Sequence, residues 1–270
     1  MSPQGSMLKI QAAGLSDRGM KRPHNEDSLS VVPSLSLFIV ADGMGGHNAG
    51  EVASRQAIES IVQFLRDSQR DTDSWPIPPN PELTVTENRI VTAVKLANRD
   101  VCKLSMEHPE YHGMGTTLVS MLLDAPNEKI SFAHVGDSRA YRLRDGNMEK
   151  MTRDHSWVEE QLERGIITEE EARNHRWKNV ITRALGNKLD VEVEVKTHTL
   201  KSGDVYLLCS DGLSGMIDKD IMEQVLTNTP DLEEAAQALI RAANEAGGHD
   251  NISLVLVRIL EDDDPESEVD

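Results

Sequence analysis

Aromatic residues are scarce in this chain: Phe, Trp and Tyr together make up 3% of its 270 residues. A buried core must therefore rest on Leu, Ile, Val, Ala and Met. Cysteines number two, Cys102 and Cys209, too few for a disulfide framework. Each falls in an apolar helix or strand pattern and reads as a buried thiol, as suits a cytoplasmic protein. No apolar stretch approaches the roughly 18 residues needed to span a membrane, and the N-terminus carries no apolar signal core. Positive charge is also short. Against 46 Asp and Glu stand 28 Lys and Arg, a formal net charge of −18. Nucleic acid and anionic lipid are excluded as default partners, because phosphate-rich surfaces demand basic patches.

What remains is enough for one large globular domain: 38% hydrophobic and 27% charged residues over a length that buries a single substantial core. The informative acids sit beside glycines or in tight clusters at widely separated points: Glu26-Asp27, Asp42-Gly43, Asp137, Asp211-Gly212 and Asp250-Asn251. Two of them close short apolar runs, Leu37–Asp42 and Val205–Asp211. Such a run ended by Asp-Gly reads as a buried strand that delivers a carboxylate to a sheet edge. Several acids converging there would repel one another unless a cation sits among them. Hard divalent ions such as Mn²⁺ or Mg²⁺ prefer these oxygen ligands. The pattern reads as a metal-dependent hydrolase.

Periodicity places strands at about 8–19, 28–32, 37–41, 116–123, 129–135, 140–144 and 148–151, the last two joined by an Asp145-Gly146 hairpin turn. Val191, Val193 and Val195 alternate with acids as a half-exposed strand does, and further strands fall at 205–209 and 252–260. Helices are predicted at about 50–66, 86–105, 218–226 and 232–246, and a charged helical stretch over 156–186. Within that stretch Thr168 and Glu171 have the spacing of a capping box. A proline-rich segment over 71–81 reads as a loop. Strands at both ends with helix pairs between strand groups suit an α+β arrangement rather than alternating βαβ units. The last ten residues hold seven acids and read as a disordered tail, leaving 1–260 as one domain.

Taken in order, these segments resemble the protein phosphatase 2C family of metal-dependent serine/threonine phosphatases, from about Ile10 to Ile259. The blocks that carry the resemblance begin with Ser16-Asp17-Arg18-Gly19, Arg22, Asn25-Glu26-Asp27-Ser28 and Val40-Ala41-Asp42-Gly43-Met44-Gly45-Gly46-His47. Gly115-Thr116-Thr117, His134-Val135-Gly136-Asp137-Ser138-Arg139 and Asp154-His155-Ser156 follow. Thr182-Arg183-Ala184-Leu185-Gly186, Ser210-Asp211-Gly212-Leu213 and Gly247-Gly248-His249-Asp250-Asn251 complete the set, which is similar to the bacterial branch.

The resemblance implies a central β-sandwich of two antiparallel sheets flanked by helices, with a flap subdomain at about 156–186. It implies two Mn²⁺ or Mg²⁺ ions per subunit. Asp42 would bridge both ions, Glu26 and the Gly43 carbonyl would serve one, and Asp211 and Asp250 the other. A third, weaker ion would lie at Asp137 and Asp211, with Asp27 and Asn251 standing behind the ligands. Arg22 would grip phosphate and His47 contact substrate, while Met44 stands where some members carry a histidine. The implied reaction is hydrolysis of phosphoserine and phosphothreonine by direct attack of a metal-bridging hydroxide, on phosphoproteins that include a cognate kinase, by a monomer. Two alternatives share the fold: an inactive, metal-stabilised binding module, and a phosphatase of small phosphate esters.

Overall fold

Leu37, Phe38, Ile39, Val40 and Ala41 are all fully buried, which is why the sequence shows a continuous apolar run there rather than an alternating one. Phe38 and Val40 face the interior of a sandwich, whereas Leu37, Ile39 and Ala41 face helices. That period-two division of one strand sets the layering of the whole molecule. The computed structural model describes residues 9–45, 49–70 and 75–260.

One sheet runs in the order β1 (Lys9–Asp17), β11 (Ile252–Leu260), β10 (Val205–Cys209), β7 (Arg139–Arg144) and β8 (Asn147–Lys150). The other runs β2 (Asp27–Val32), β3 (Leu37–Met44), β5 (Leu118–Asp124), β6 (Lys129–Val135) and β9 (Glu194–Thr199), with the short β4 (Gly115–Thr116) paired to β3. Every pairing is antiparallel. Phe38, Val119, Met121, Phe132, Tyr206, Leu208, Val255 and Val257 fill the space between the sheets, where Phe132 and Tyr206 lie 5.7 Å apart.

Helices cover both outer faces. α1 (Ala49–Arg70) and α2 (Val85–Glu107) pack Ala53, Ile61, Ile90, Val94 and Ala97 against the second sheet. α6 (Lys219–Asn228) and α7 (Leu232–Glu245) pack Met222, Leu226, Leu239 and Ile240 against the first. The α-β-β-α layering agrees with the sequence expectation. Thr84 caps α2 through a reciprocal box with Glu87, and Thr168 caps α4 (Glu169–Asn174) with Glu171 in the same way.

Two expectations fail. The stretch 156–186 holds only α3 (Trp157–Glu163) and α4. Gly165 at φ +65° ends the first, and His175 turns to extended backbone after the second. The rest folds back as turns, because Ser156 must pair with Ile181 and Leu185 with Thr116. The alternating valines also mislead, since β9 begins only at Glu194. Its partner β6 ends one residue past His134, so Val191 and Val193 lie beyond the ladder and pack on the helix-side core. His47 and the acidic tail fall outside the described residues.

Candidate metal centre

The acids singled out in the sequence meet at one end of the sandwich. Asp27, the first residue of β2, is the ladder partner of Asp42 on β3, and the Gly43 amide donates to the Glu26 carbonyl at 3.2 Å. Across the sandwich, β10 ends and β11 begins at this same end, placing Asp211 and Asp250 there. Asp211 opens the one-turn α5 (Asp211–Ser214) rather than closing the strand. The Ser210 hydroxyl donates to Asp27 Oδ2 at 2.8 Å and so stitches the two sheets together.

Asn251 fastens the remaining loop. Its side-chain amide donates to the Arg18 and His24 carbonyls at 2.9 Å each, and its oxygen accepts from the Glu26 amide at 2.9 Å. Asp42 is held by its backbone: its carbonyl accepts from the Thr117 amide at 2.8 Å and the Thr116 hydroxyl at 2.9 Å. Gly43 is obligatory, because a Cβ there would lie 2.1 Å from the Gly50 carbonyl oxygen.

Burial and mutual repulsion push these carboxyls upward. Asp42 stands well above the ordinary carboxylate range through burial first, then through Asp27, Asp211, Asp137 and Asp250. Burial lifts Asp27 to about 7, aided by Asp211 and Asp250 against hydrogen bonds from serines. Asp137 also rises to about 7, from burial and then from Asp211. Asp211 is raised by burial and Asp250, and Glu26 by burial. Two buried oxygens, Asp27 Oδ1 and Asp211 Oδ1, have no hydrogen-bond partner. A cluster of pressed carboxyls with orphaned oxygens is what a hard divalent cation satisfies, so the residues present fit Mn²⁺ or Mg²⁺.

Arg22 reaches the same place. Its Nη2 donates to Asp250 Oδ2 at 2.6 Å, and its guanidinium remains half exposed at the rim. Asp137 makes no ion pair with its near neighbour Arg139 among the described residues. Arg139 instead grips Asp154 through Nε and Nη2 at 2.7–3.1 Å. Thr117 and Ser210, which position the acids, lie inside the motif blocks but were not singled out; their neighbours Asp42 and Asp27 are distant in sequence.

His134, His155 and Glu194 also bring ligand atoms within 4.8 Å of one another. Their geometry opposes a shared ion. The two imidazoles stack, 4.7 Å apart and 15° from parallel, so their in-plane lone pairs cannot meet at one point. His134 Nε2 donates to the Arg153 carbonyl at 2.7 Å, and His155 Nδ1 accepts from the Gly136 amide at 3.1 Å. These rings brace the segment that presents Asp137.

A family model described as protein phosphatase 2C matches residues 20–260. The serine/threonine phosphatase stp of Listeria monocytogenes is 38% identical over 244 residues, spanning 89% of this chain and 92% of that protein. Among solved structures, the serine/threonine phosphatase PstP/Ppp of Mycobacterium tuberculosis superposes with a TM-score of 0.81 at 35% identity, covering 93% of this chain and 99% of that one. The catalytic domain of PstP in complex with two manganese ions gives a TM-score of 0.79 at 34% identity, over 94% of this chain and all of that one.

Proposed function

The chain belongs to the protein phosphatase 2C family and is a metal-dependent serine/threonine protein phosphatase; we propose that its own ions lie among Glu26, Asp42, the Gly43 carbonyl, Asp211 and Asp250, with a weaker site at Asp137 and Asp211. The observation that carries this assignment is the pair of unpartnered buried oxygens, Asp27 Oδ1 and Asp211 Oδ1, inside a cluster of upshifted carboxyls. Divalent cations bound there supply an activated water near neutral pH and offset the charge of the phosphoryl group.

The chain's residues do the rest. Asp42 and Asp211 hold the negative charge that fixes the cations, and the Ser210–Asp27 bond keeps the two sheet ends in register. Arg22 has a fork of donors of which one is engaged by Asp250. It can meet two phosphoryl oxygens in parallel, a geometry that lysine lacks. Neither the thiol nor the hydroxyl that borders the cluster is poised to become a phosphoenzyme. Cys209 is fully buried with its thiol pushed up to about 12, and the Ser210 hydroxyl is committed to Asp27. Attack by water without a covalent intermediate is the reading these facts support.

Phosphorylated proteins are the substrates, and a cognate serine/threonine kinase is proposed among them. No described helix is long and apolar enough to cross a membrane. The two buried free cysteines suit a reducing cytoplasm, where we place the enzyme. The catalytic unit is proposed to end near Leu260, with His47 contacting substrate. The test is hydrolysis of a phosphothreonine peptide with Mn²⁺ and with chelator, alongside calorimetric titration of Mn²⁺ into wild type and Asp211→Asn. Metal-independent hydrolysis, or unchanged Mn²⁺ affinity in the variant, removes the assignment.

A further inference from the structure

Residues 172–189 contain no acid, the longest such run in a chain with 46 of them, and carry five Lys and Arg: Arg173, Arg176, Lys178, Arg183 and Lys188. In a protein of net charge −18 this run covers the second half of the flap and the three residues after it. Arg183 is spent on Glu192 at 3.2 Å. Arg173 keeps only a loose, fully exposed contact with Glu169 at 3.8 Å. Arg176 lies over the Trp177 ring at 4.5 Å, and Lys178 makes no ion pair among the described residues.

The strip is held in shape. Trp157 stacks on His175 at 4.6 Å and meets Trp177 edge-on at 4.7 Å, while the Lys178 amide donates to the His175 carbonyl at 3.1 Å. Trp177 is nevertheless 40% exposed. Arg173 and Lys178 line a groove of about 850 Å³ that Asp137, Asp211 and Asp250 also line. Two other cations of that groove, Arg139 and Lys150, are both held in ion pairs with Asp154. Glu159, Glu169 and Asp218 also line it, so the Lys and Arg of the groove that lack a buried carboxylate partner are those of the flap.

We propose that Arg173, Arg176 and Lys178, presented around Trp177, dock acidic side chains flanking the phosphorylated residue of a protein substrate. The proposal rests on the phosphatase reading and on the groove as the substrate path. Two effects oppose each other here. The field of the whole molecule attracts basic peptides, whereas the strip attracts acidic ones close to the reacting centre. Each exposed pair supplies a factor of about 1.5 to 5 in binding, so three together outweigh a diffuse field that salt screens.

The experiment compares kcat/KM on phosphothreonine peptides with glutamate or lysine flanks, with Mn²⁺, for wild type, R176E/K178E and the milder R176Q/K178Q. A small aryl phosphate serves as control. Wild type should favour the glutamate peptide by about 5- to 20-fold at low salt, with most of the preference gone near about 0.5 M salt. Both double variants should cut the preference to no more than the factor of about 1.5 to 5 that Arg173 alone supplies, with aryl phosphate turnover within about twofold of wild type. Equal rates or a lysine preference in wild type, or a glutamate preference that either variant leaves undiminished, overturns the proposal. Wild type that fails on aryl phosphate and on both peptides would instead sink the phosphatase reading itself.

Discussion

Two groups of aspartates withdrawn from solvent in this molecule are treated oppositely. Asp204 is 1% exposed, yet its oxygens receive Arg144 Nε and Nη2 at 2.6 Å each, the Tyr206 hydroxyl at 2.7 Å and the Lys201 amide at 2.9 Å. Burial alone would raise its carboxyl, but these bonds hold it below the ordinary range. Asp154 is kept low in the same way by Arg139 and Lys150. Asp27 is likewise buried, and Asp42 and Asp211 are half-buried beside it; these have each other for neighbours, and all three are raised. A buried acid whose cation is supplied by the chain holds structure. One left without a cation is a site for an external one.

The comparison breaks most visibly at turnover. Asp42→Ala or Asp211→Ala should lower kcat by at least about a thousandfold, since each removes charge on which the centre depends. The same variants should leave chelated protein as stable as wild type or more so, because a repulsive neighbour has gone. Thermal melting in chelator checks this; destabilisation by several kcal/mol would erase the distinction between the groups. Asp204→Asn should do the reverse. Breaking a buried pair from one side costs about 3–5 kcal/mol, while turnover per folded molecule stays near normal. Denaturant unfolding paired with active-site titration reads both halves, and a variant with lost turnover but intact stability would contradict it.

Arg22→Ala should have a smaller effect, a loss of about 10- to 100-fold in kcat/KM with much of it in KM. Arg22→Lys should recover little, because a point charge cannot reproduce the paired donors. Full recovery by lysine would reduce Arg22 to a rim charge serving Asp250.

Much of this arrangement is legible in the sequence, but unevenly. The runs ending in Asp42 and Asp211 announced buried strands because both faces of those strands are covered, and the spacing of Thr168 and Glu171 announced a helix start. The acids stand out by their place beside glycines and at the ends of apolar runs, and motif order then assigns their roles. Which aspartate owns a cation was not legible: Asp204 lies 60 residues from Arg144, and Asp27 lies 183 residues from Ser210. Pairing across strands is decided by register, which no local pattern carries. The flap misled for a related reason. Its composition is helical in character, but its chain must return to Thr116, and that closure turns the second half into loops.

The least conspicuous effect isolates the unpaired group by pH. In chelated protein Asp27 and Asp137 titrate at about 7, above their unfolded values near 4. Their protonated forms therefore contribute stability that is complete below about pH 4 and is lost as pH rises toward 7. Asp154 and Asp204 have lowered values, so their contribution is present above about pH 4 and fades only at lower pH. His134 and His155, both lowered, add a trend of opposite slope, but it is common to protein with and without metal. The quantity to measure is thus the gain in melting temperature from saturating Mn²⁺ over chelator. Protons compete with the cation for the same oxygens, so that gain should widen between pH 5 and 7.5, by about several degrees. It should stay flat in Asp42→Asn, where the shared cluster is broken. A wild-type gain that is constant or shrinks as pH rises would mean that Mn²⁺ stabilises the fold somewhere other than among these carboxyls.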